Sequence, residues 1–236
     1  MKFLAILSSM PFESGEVFDS LKNISTAKIA GKNVYIGRLS GHDILMLNTG
    51  IGKVNAAHSA TCLIENYPVK GLINMGVGGA YPASGLKIGD IAIASKEIYG
   101  DEGVITSKGW TGMTEIGIPV VQAGRKKYFN EFKLNSALSK KLIIRHLSPV
   151  IKIKSGPFVT VSSTTGTHER AAELRKRFHA VCENMEGAAI AQVCAIYKIP
   201  MLEIRGISNI AGERDKRKWN LDLASENCQE LVLKMF

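Results

Sequence analysis

The chain has 236 residues, of which 45% are hydrophobic and 22% are charged, with 23 glycines and 7 prolines. This composition is typical of a globular protein and excludes a disordered, collagen-like or coiled-coil chain. The 30 lysines and arginines outnumber the 21 aspartates and glutamates and give a net charge of +9. A positive field of this kind suits nucleic acid or a small anionic substrate. The basic residues are scattered and no nucleic-acid-binding motif is present, so we expect no nucleic-acid partner.

Strands and helices are predicted from apolar runs and from helical spacing. In chain order, the predicted strands are Phe3 to Leu7, Val34 to Leu39, Ile44 to Leu47, Gly71 to Val77, Ile91 to Tyr99, Val150 to Val161, Ala180 to Cys182 and Met201 to Ile207. The predicted helices are Lys53 to Asn66, Leu134 to His146, Thr167 to Phe178, Glu186 to Tyr197 and Leu221 to Met235. Between Gly100 and Tyr128, glycines and mixed polarity predict long loops.

Strands that alternate with helices predict an α/β fold with a central mixed sheet flanked by helices in three layers. No repeat or change of composition marks a boundary, so we expect one domain over residues 1–236. The four cysteines form no C-x-x-C pair, and no apolar run approaches the length of about 18 residues that a membrane helix needs. We therefore expect a cytoplasmic protein with reduced thiols and no membrane partner.

Candidate functional residues follow the ends of predicted strands, where α/β proteins build ligand sites. Four segments stand out: Met10 to Glu13, Asn74 to Ala80, Glu183 to Ala191, and Arg205 to Asn209. The glycines of the second segment allow a backbone to approach a ligand closely. Each segment alone also suits an ordinary helix start, tight turn or helix cap.

Taken together in this order, and with Thr49 to Asn55 and Leu86 to Asp90, the segments resemble the nucleoside phosphorylase/nucleosidase superfamily over essentially the whole chain. They are similar to the branch that contains the methylthioadenosine/S-adenosylhomocysteine nucleosidases and the futalosine hydrolases. Tyr99 to Gly103, and Ile210 to Asp215 followed by Trp219, look more like futalosine hydrolases. Asn209 favours the same branch, because an amide can donate to a 6-oxo purine where adenosine-type nucleosidases have an aspartate.

The resemblance implies hydrolysis of the N-glycosidic bond of futalosine, releasing hypoxanthine in menaquinone biosynthesis. It implies that Glu13 activates the water and that Asn209 assists the departing purine. The implied substrate contacts are Glu186 and Met185 at the ribose, Phe158 and Gly79 at the purine, Ser208 behind Asn209, and Trp219 at the 5′ pocket. Futalosine carries a carboxylate beyond its 5′ carbon, for which Arg214, Lys216, Arg217 and Lys218 are candidate partners.

Several alternatives stay open at the level of sequence. The main one is a nucleosidase acting on methylthioadenosine, S-adenosylhomocysteine or aminofutalosine. Phosphorolysis is disfavoured because Asn74 to Ala80 contains no arginine, although Arg38 and Arg125 remain candidates for binding phosphate. A non-catalytic nucleoside-binding protein is a third possibility. The histidine spacing indicates no metal site, so we expect no cofactor. The resemblance also implies a homodimer, with a loop near Trp110 to Tyr128 reaching the partner.

Overall fold

The computed structural model describes residues 2–134 and 150–236. The strands are β1 (Phe3–Ser8), β2 (Lys22–Ile29), β3 (Lys32–Leu39), β4 (His42–Asn48), β5 (Val69–Ala80), β6 (Ile91–Tyr99), β7 (Gly103–Thr106), β8 (Gly109–Gly112), β9 (Val121–Ala123), β10 (Lys126–Tyr128), β11 (Glu131–Lys133), β12 (Ile153–Thr160), β13 (Cys182–Asn184) and β14 (Met201–Ile210). The α-helices are α1 (Gly15–Asp19), α2 (Lys53–Asn66), α3 (Met113–Ile116), α4 (His168–Phe178), α5 (Gly187–Tyr197) and α6 (Leu221–Leu233). Short 3-10 helices span Pro11–Glu13 and Lys216–Lys218.

Ten of the described strands form one mixed sheet in the order β11-β6-β12-β13-β5-β1-β4-β3-β2, with β14 paired to both β5 and β6. Because β14 bridges β5 and β6, it closes these two strands with β12 and β13 into a five-stranded ring. β5 runs parallel to both β1 and β14. The carboxyl ends of β1, β5 and β14 therefore meet at one edge of the sheet.

Helices cover both faces of the sheet because successive strand residues point to opposite sides. In β1, Ala5 and Leu7 pack in the hydrophobic cluster that includes helices α2 and α5, whereas Ile6 packs in the cluster that includes α6. In β4, Leu45 and Leu47 join the first cluster. The apolar runs within these strands are typical of a sheet buried on both sides.

The predicted α/β fold with a mixed sheet between helices is confirmed, and α2 has the predicted bounds. The prediction of long loops from Gly100 to Tyr128 is wrong, since this stretch contains two short hairpins, β7–β8 and β9–β10, and helix α3. Strand β2 escaped prediction because most of its residues are exposed and polar. The helix predicted over Leu134 to His146 lies outside the described residues, apart from Leu134 itself.

The last three residues of β14 extend beyond the predicted end at Ile207 and carry Ser208 and Asn209 into the sheet edge. Among residues 2–134 and 150–236, no helix has the length and apolar character needed to cross a membrane.

Candidate active site

A cavity of about 370 Å³ opens at the edge where β1, β5 and β14 end. Its volume falls in the range of small-molecule sites in proteins. Three of the four sequence segments supply most of its polar side chains, and the fourth supplies its glycines. The lining residues that carry the argument below are Glu13, Gly79, Met185, Glu186, Ser208, Asn209, Arg214 and Trp219. The fold therefore brings together seven of the eight predicted site residues.

Glu13 is held in the cavity by backbone N–H groups. The chain leaves β1 and turns through the 3-10 helix Pro11–Glu13, which returns the carboxylate towards the strand end. Oε2 of Glu13 accepts from the N–H groups of Ser9 at 2.9 Å and Met10 at 2.8 Å, and Oε1 accepts from Val77 N–H at 2.9 Å. A Cβ at Gly76 would clash with this carboxylate, so the glycine leaves room for it.

Burial raises the pKa of Glu13 above its ordinary value, while the Arg205 guanidinium and the N–H donors of Val77 and Met10 oppose the rise. The side chain is only 3% exposed, which accounts for the desolvation. A carboxylate with a raised pKa is a stronger base than a solvated one, and the fixed donors hold it in a single position. Glu13 is thus suited to take a proton from water.

Glu186 lies between β13 and α5, and it is also buried. Its Oε1 accepts from the Gly52 N–H at 2.9 Å, and its Oε2 lies 3.5 Å from a guanidinium nitrogen of Arg205. Asn184 fixes the backbone there, because its Oδ1 accepts from the N–H groups of Glu186 and Gly187. The carboxylate faces the cavity with acceptor capacity left for ligand hydroxyl groups.

Behind Glu186, a polar cluster is enclosed by the sheet and α5. Arg205 is 1% exposed and forms an ion pair with Glu203 at 2.9 Å. Glu203 and Glu97 are both 0% exposed, and their carboxyl groups both face Gly187. Asn74 also donates to Glu203 at 3.0 Å, and Asn184 donates to Glu97 at 2.8 Å.

The buried pair of carboxyl groups is expected to hold one proton. Oε2 of Glu203 receives no hydrogen bond from an N–H or hydroxyl group of the described residues, and a proton on Glu97 would satisfy it. Burial and the neighbouring Glu203 raise the pKa of Glu97 well above its ordinary value. A side chain at Gly187 would clash with both carboxyl groups, so this glycine lets the start of α5 approach them.

Asn209 presents an amide to the cavity from the end of β14. Its Oδ1 accepts from the Ser208 hydroxyl at 2.9 Å, and its Nδ2 donates to the Ile210 carbonyl at 3.1 Å. These bonds leave one N–H and one lone pair of the amide for a ligand. Gly79 lies beside it, since a Cβ there would come 3.3 Å from Asn209 Nδ2. The missing side chain leaves space for a planar group against the amide.

The sequence of this chain matches the model of the phosphorylase superfamily over residues 3–236. The chain belongs to this superfamily. Futalosine hydrolase of Thermus thermophilus is 36% identical over 181 residues, which are 77% of this chain and 76% of that protein. The 5′-methylthioadenosine/S-adenosylhomocysteine nucleosidase of Bacillus cereus (strain AH187) is 31% identical over 235 residues, 98% of this chain and 97% of that protein.

Solved structures agree with the sequence comparisons. The 5′-methylthioadenosine/S-adenosylhomocysteine nucleosidase of Colwellia psychrerythraea, in complex with adenine, superposes with a TM-score of 0.83 at 31% identity and covers 99% of this chain and 94% of that one. The nucleosidase of Neisseria meningitidis, in complex with methylthio-immucillin-A, gives a TM-score of 0.84 at 26% identity, covering 100% and 98%. The chain is accordingly an enzyme of the nucleosidase group within the phosphorylase superfamily.

Phe158 is the predicted site residue that the structure keeps away from the cavity. It lies in β12 with 0% exposure and packs in the cluster that contains Ala92 and Ile207. The assignment of Phe158 to the purine is therefore corrected. Side chains alternate along a strand, so an aromatic residue that is one position out of phase faces the core instead of a ligand. Beyond the end of β12, Thr164 and Thr165 line the cavity instead.

Two groups near the cavity received no role in the sequence-based prediction, although Glu183 belongs to one of its four segments. Glu183 lines it, and its carboxylate accepts from the Tyr81 hydroxyl at 2.9 Å and from the Thr165 N–H at 2.9 Å. Glu97 and Glu203 lie deeper. Both interrupt apolar strand sequences, and a charged residue within such a run is a detectable signal, because buried charges require partners.

Proposed function

We propose that the protein hydrolyses the N-glycosidic bond of futalosine, a 6-oxopurine nucleoside, and releases hypoxanthine and dehypoxanthine futalosine in menaquinone biosynthesis. The observation that carries this proposal is the amide of Asn209 in the cavity beside Gly79. Its remaining N–H can donate to a 6-oxo group while its oxygen accepts from a protonated N7. An aspartate in the same place would lack the donor.

The mechanism follows from the charges that develop as the bond breaks. Positive charge grows on the ribose and negative charge on the departing purine, so groups fixed near each lower the barrier. Glu13 would orient a water at C1′ and take its proton. Glu186 would accept hydrogen bonds from the ribose hydroxyl groups, with Met185 against the sugar. Asn209, fixed by Ser208, would hold the purine and help it accept a proton.

Hydrolysis is favoured over phosphorolysis by the charges in the cavity. Phosphate needs cations and free donors, but Glu13 and Glu186 are carboxylates, and the Arg205 charge is engaged by Glu203. Arg38, one candidate for binding phosphate, lies on the surface beside Asp43 and does not line the cavity. Arg125 does not line it either. Within the described part of this chain, only Arg214 adds an unpaired cation to the lining.

A nucleosidase acting on 5′-methylthioadenosine and S-adenosylhomocysteine is the second candidate. It is favoured by the breadth of the comparisons, because relatives of that name align over 98% of this chain and the similar solved structures carry the same name. Futalosine hydrolase of Thermus thermophilus has the higher identity but aligns over 77%. The two candidates share Glu13 and Glu186 and differ at the purine, so Asn209 is the residue to test.

The test is release of free base from futalosine, aminofutalosine and 5′-methylthioadenosine, assayed side by side in phosphate-free buffer with the bases separated by chromatography. We expect hypoxanthine from futalosine and little adenine from the other two. Asn209→Asp should move the preference towards the 6-amino nucleosides by about tenfold or more, because it removes the donor to the 6-oxo group. Asn66→Asp, an exposed change of the same kind on α2, is the matched control.

Release of adenine alone by the unchanged protein would reject the futalosine assignment in favour of the second candidate. An unchanged preference in Asn209→Asp would reject the role of Asn209. Tight binding of nucleosides without release of base would reject both enzymatic candidates and favour a nucleoside-binding protein.

A further inference from the structure

The loop that follows β14 carries four basic residues, and the structure separates them by their partners. Arg217 forms hydrogen bonds with both carboxylate oxygens of Asp215, at 2.9 and 2.8 Å. Lys218 pairs with Glu213 at 2.6 Å. Lys216 does not line the cavity. Arg214 lines the cavity and has no acidic partner among residues 2–134 and 150–236.

Instead of a carboxylate, Arg214 contacts an aromatic ring. Its guanidinium carbon lies 5.0 Å from the centroid of the Trp219 ring. Trp219 is itself fixed, because its indole N–H donates to the Glu213 carbonyl at 3.1 Å and its backbone N–H donates to the Lys216 carbonyl at 3.1 Å. Stacking orients a guanidinium but uses none of its N–H donors, so those donors stay available for a ligand.

The exposure of each lining residue indicates how deep it lies in the cavity. Glu13 and Glu186 are buried on the floor of the cavity, whereas Trp219 is half-buried and Arg214 is exposed at its rim. If the ribose and the purine occupy the floor, then a substituent that leaves the ribose towards solvent passes Trp219 and reaches Arg214. A guanidinium binds carboxylates with paired N–H donors, and a flat ring beside it suits a planar anion.

We propose that Arg214, oriented by Trp219, binds a carboxylate on the 5′ substituent of the substrate, so that the cavity selects purine nucleosides whose 5′ extension carries a carboxylate. This inference rests on the proposed function in one respect, since it requires a nucleoside in the cavity. It does not depend on which purine is released. Futalosine and S-adenosylhomocysteine both offer a carboxylate to a guanidinium, which in S-adenosylhomocysteine is accompanied by an ammonium group.

The test compares nucleosides that share a base and differ in whether the 5′ substituent carries a carboxylate. Futalosine and inosine form the 6-oxo pair, and S-adenosylhomocysteine and 5′-methylthioadenosine form the 6-amino pair. Arg214→Gln should lower kcat/KM for the carboxylate-bearing member of the hydrolysed pair by about 10- to 100-fold, mainly through KM, because it removes charge-assisted hydrogen bonds. The other member should change by less than about threefold. Arg214→Lys should give an intermediate loss, since it keeps the charge but not the paired donors.

Arg217→Gln is the matched control, because Arg217 belongs to the same loop but its side chain is 89% exposed and paired with Asp215. It should leave both members of each pair unchanged. Equal losses for both members in Arg214→Gln, or no loss for either, would overturn the inference. Failure of the futalosine assignment is distinguishable from failure of this inference. If the protein hydrolyses the 6-amino nucleosides instead, then S-adenosylhomocysteine and 5′-methylthioadenosine test the role of Arg214 in the same way. Absence of base release from all four nucleosides would overturn the inference together with the proposed function.

Discussion

Two sets of buried carboxyl groups lie a short way apart in this molecule, and they are held by different means. Glu13 and Glu186 border the cavity, and their oxygens accept mainly from backbone N–H groups. Glu97 and Glu203 lie behind the cavity and are held by side chains and by each other. Backbone donors hold a carboxylate in place without supplying a counter-charge, whereas a shared proton removes one negative charge from the protein interior.

Arg205 connects the two sets. It pairs with Glu203 on one side and with Glu186 on the other. Its single positive charge therefore faces Glu186 at the cavity, and the raised pKa of Glu97 favours a neutral carboxyl group that adds no negative charge to the cluster. The first set is placed to contact a ligand and the second to hold Arg205, and a single substitution in each set tests its role.

The largest effect is expected at Glu13. Glu13→Gln removes the base but keeps the size of the side chain, so kcat should fall about 1,000-fold, equivalent to about 4 kcal/mol in the barrier, with KM little changed. Steady-state release of free base measures this directly. Glu16→Gln is the control, because Glu16 is exposed on α1 and its loss removes the same charge. Full activity in Glu13→Gln would remove Glu13 from the mechanism.

The second effect is expected in stability. Glu203→Leu leaves Arg205 buried with Glu186, at 3.5 Å, as its one ion-pair partner among the described residues, and breaking a buried ion pair in this way costs about 3 kcal/mol. For a chain of 236 residues this corresponds to a fall in Tm of about 6 to 12 °C, measurable by calorimetry.

Glu230→Gln tests whether burial of the ion pair causes the fall in Tm expected for Glu203→Leu. Glu230 pairs with Lys234 on the exposed face of α6, where ion pairs contribute little, and Tm should change by less than about 2 °C. Equal shifts in Tm for the two variants would show that the buried cluster does not need its ion pair.

The residues of the cavity could be predicted from the sequence more completely than the cluster of Glu97, Glu203 and Arg205 behind it. Glu13, Glu186 and Asn209 each follow the end of a predicted strand, and α/β proteins build ligand sites at such ends. The pairing of Glu97 with Glu203 depends on the antiparallel contact of β6 with β14, which closes the ring of strands. That register is a long-range property, and local patterns do not encode it.

The same limit explains the error at Phe158 and the omission of β2. An apolar strand buried on both faces shows no alternation, so the sequence does not indicate which face Phe158 occupies. β2 lies at the sheet edge with mostly exposed residues, and it lacks the apolar pattern by which the other strands are recognised. The sequence also does not distinguish Arg214 from the three basic residues that follow it. That distinction depends on which of the four have carboxylate partners in the folded protein.

The smallest effect is a change in the pH dependence of stability, and it tests the shared proton. Burial and Glu203 raise the pKa of Glu97 above the ordinary 4.5, so the folded protein holds a proton that the unfolded chain has released. The stability associated with this proton is fully present below pH 4.5 and is lost as the pH rises through the folded pKa. Across that window the free energy of unfolding should fall by up to about 1.4 kcal/mol per pH unit more steeply than in Glu97→Gln, which cannot titrate. Denaturant unfolding at pH 5.5 and 7.5 measures the two slopes. Parallel slopes would mean that Glu97 releases its proton in the folded protein as it does in the unfolded chain, and the cluster would then carry two negative charges against Arg205.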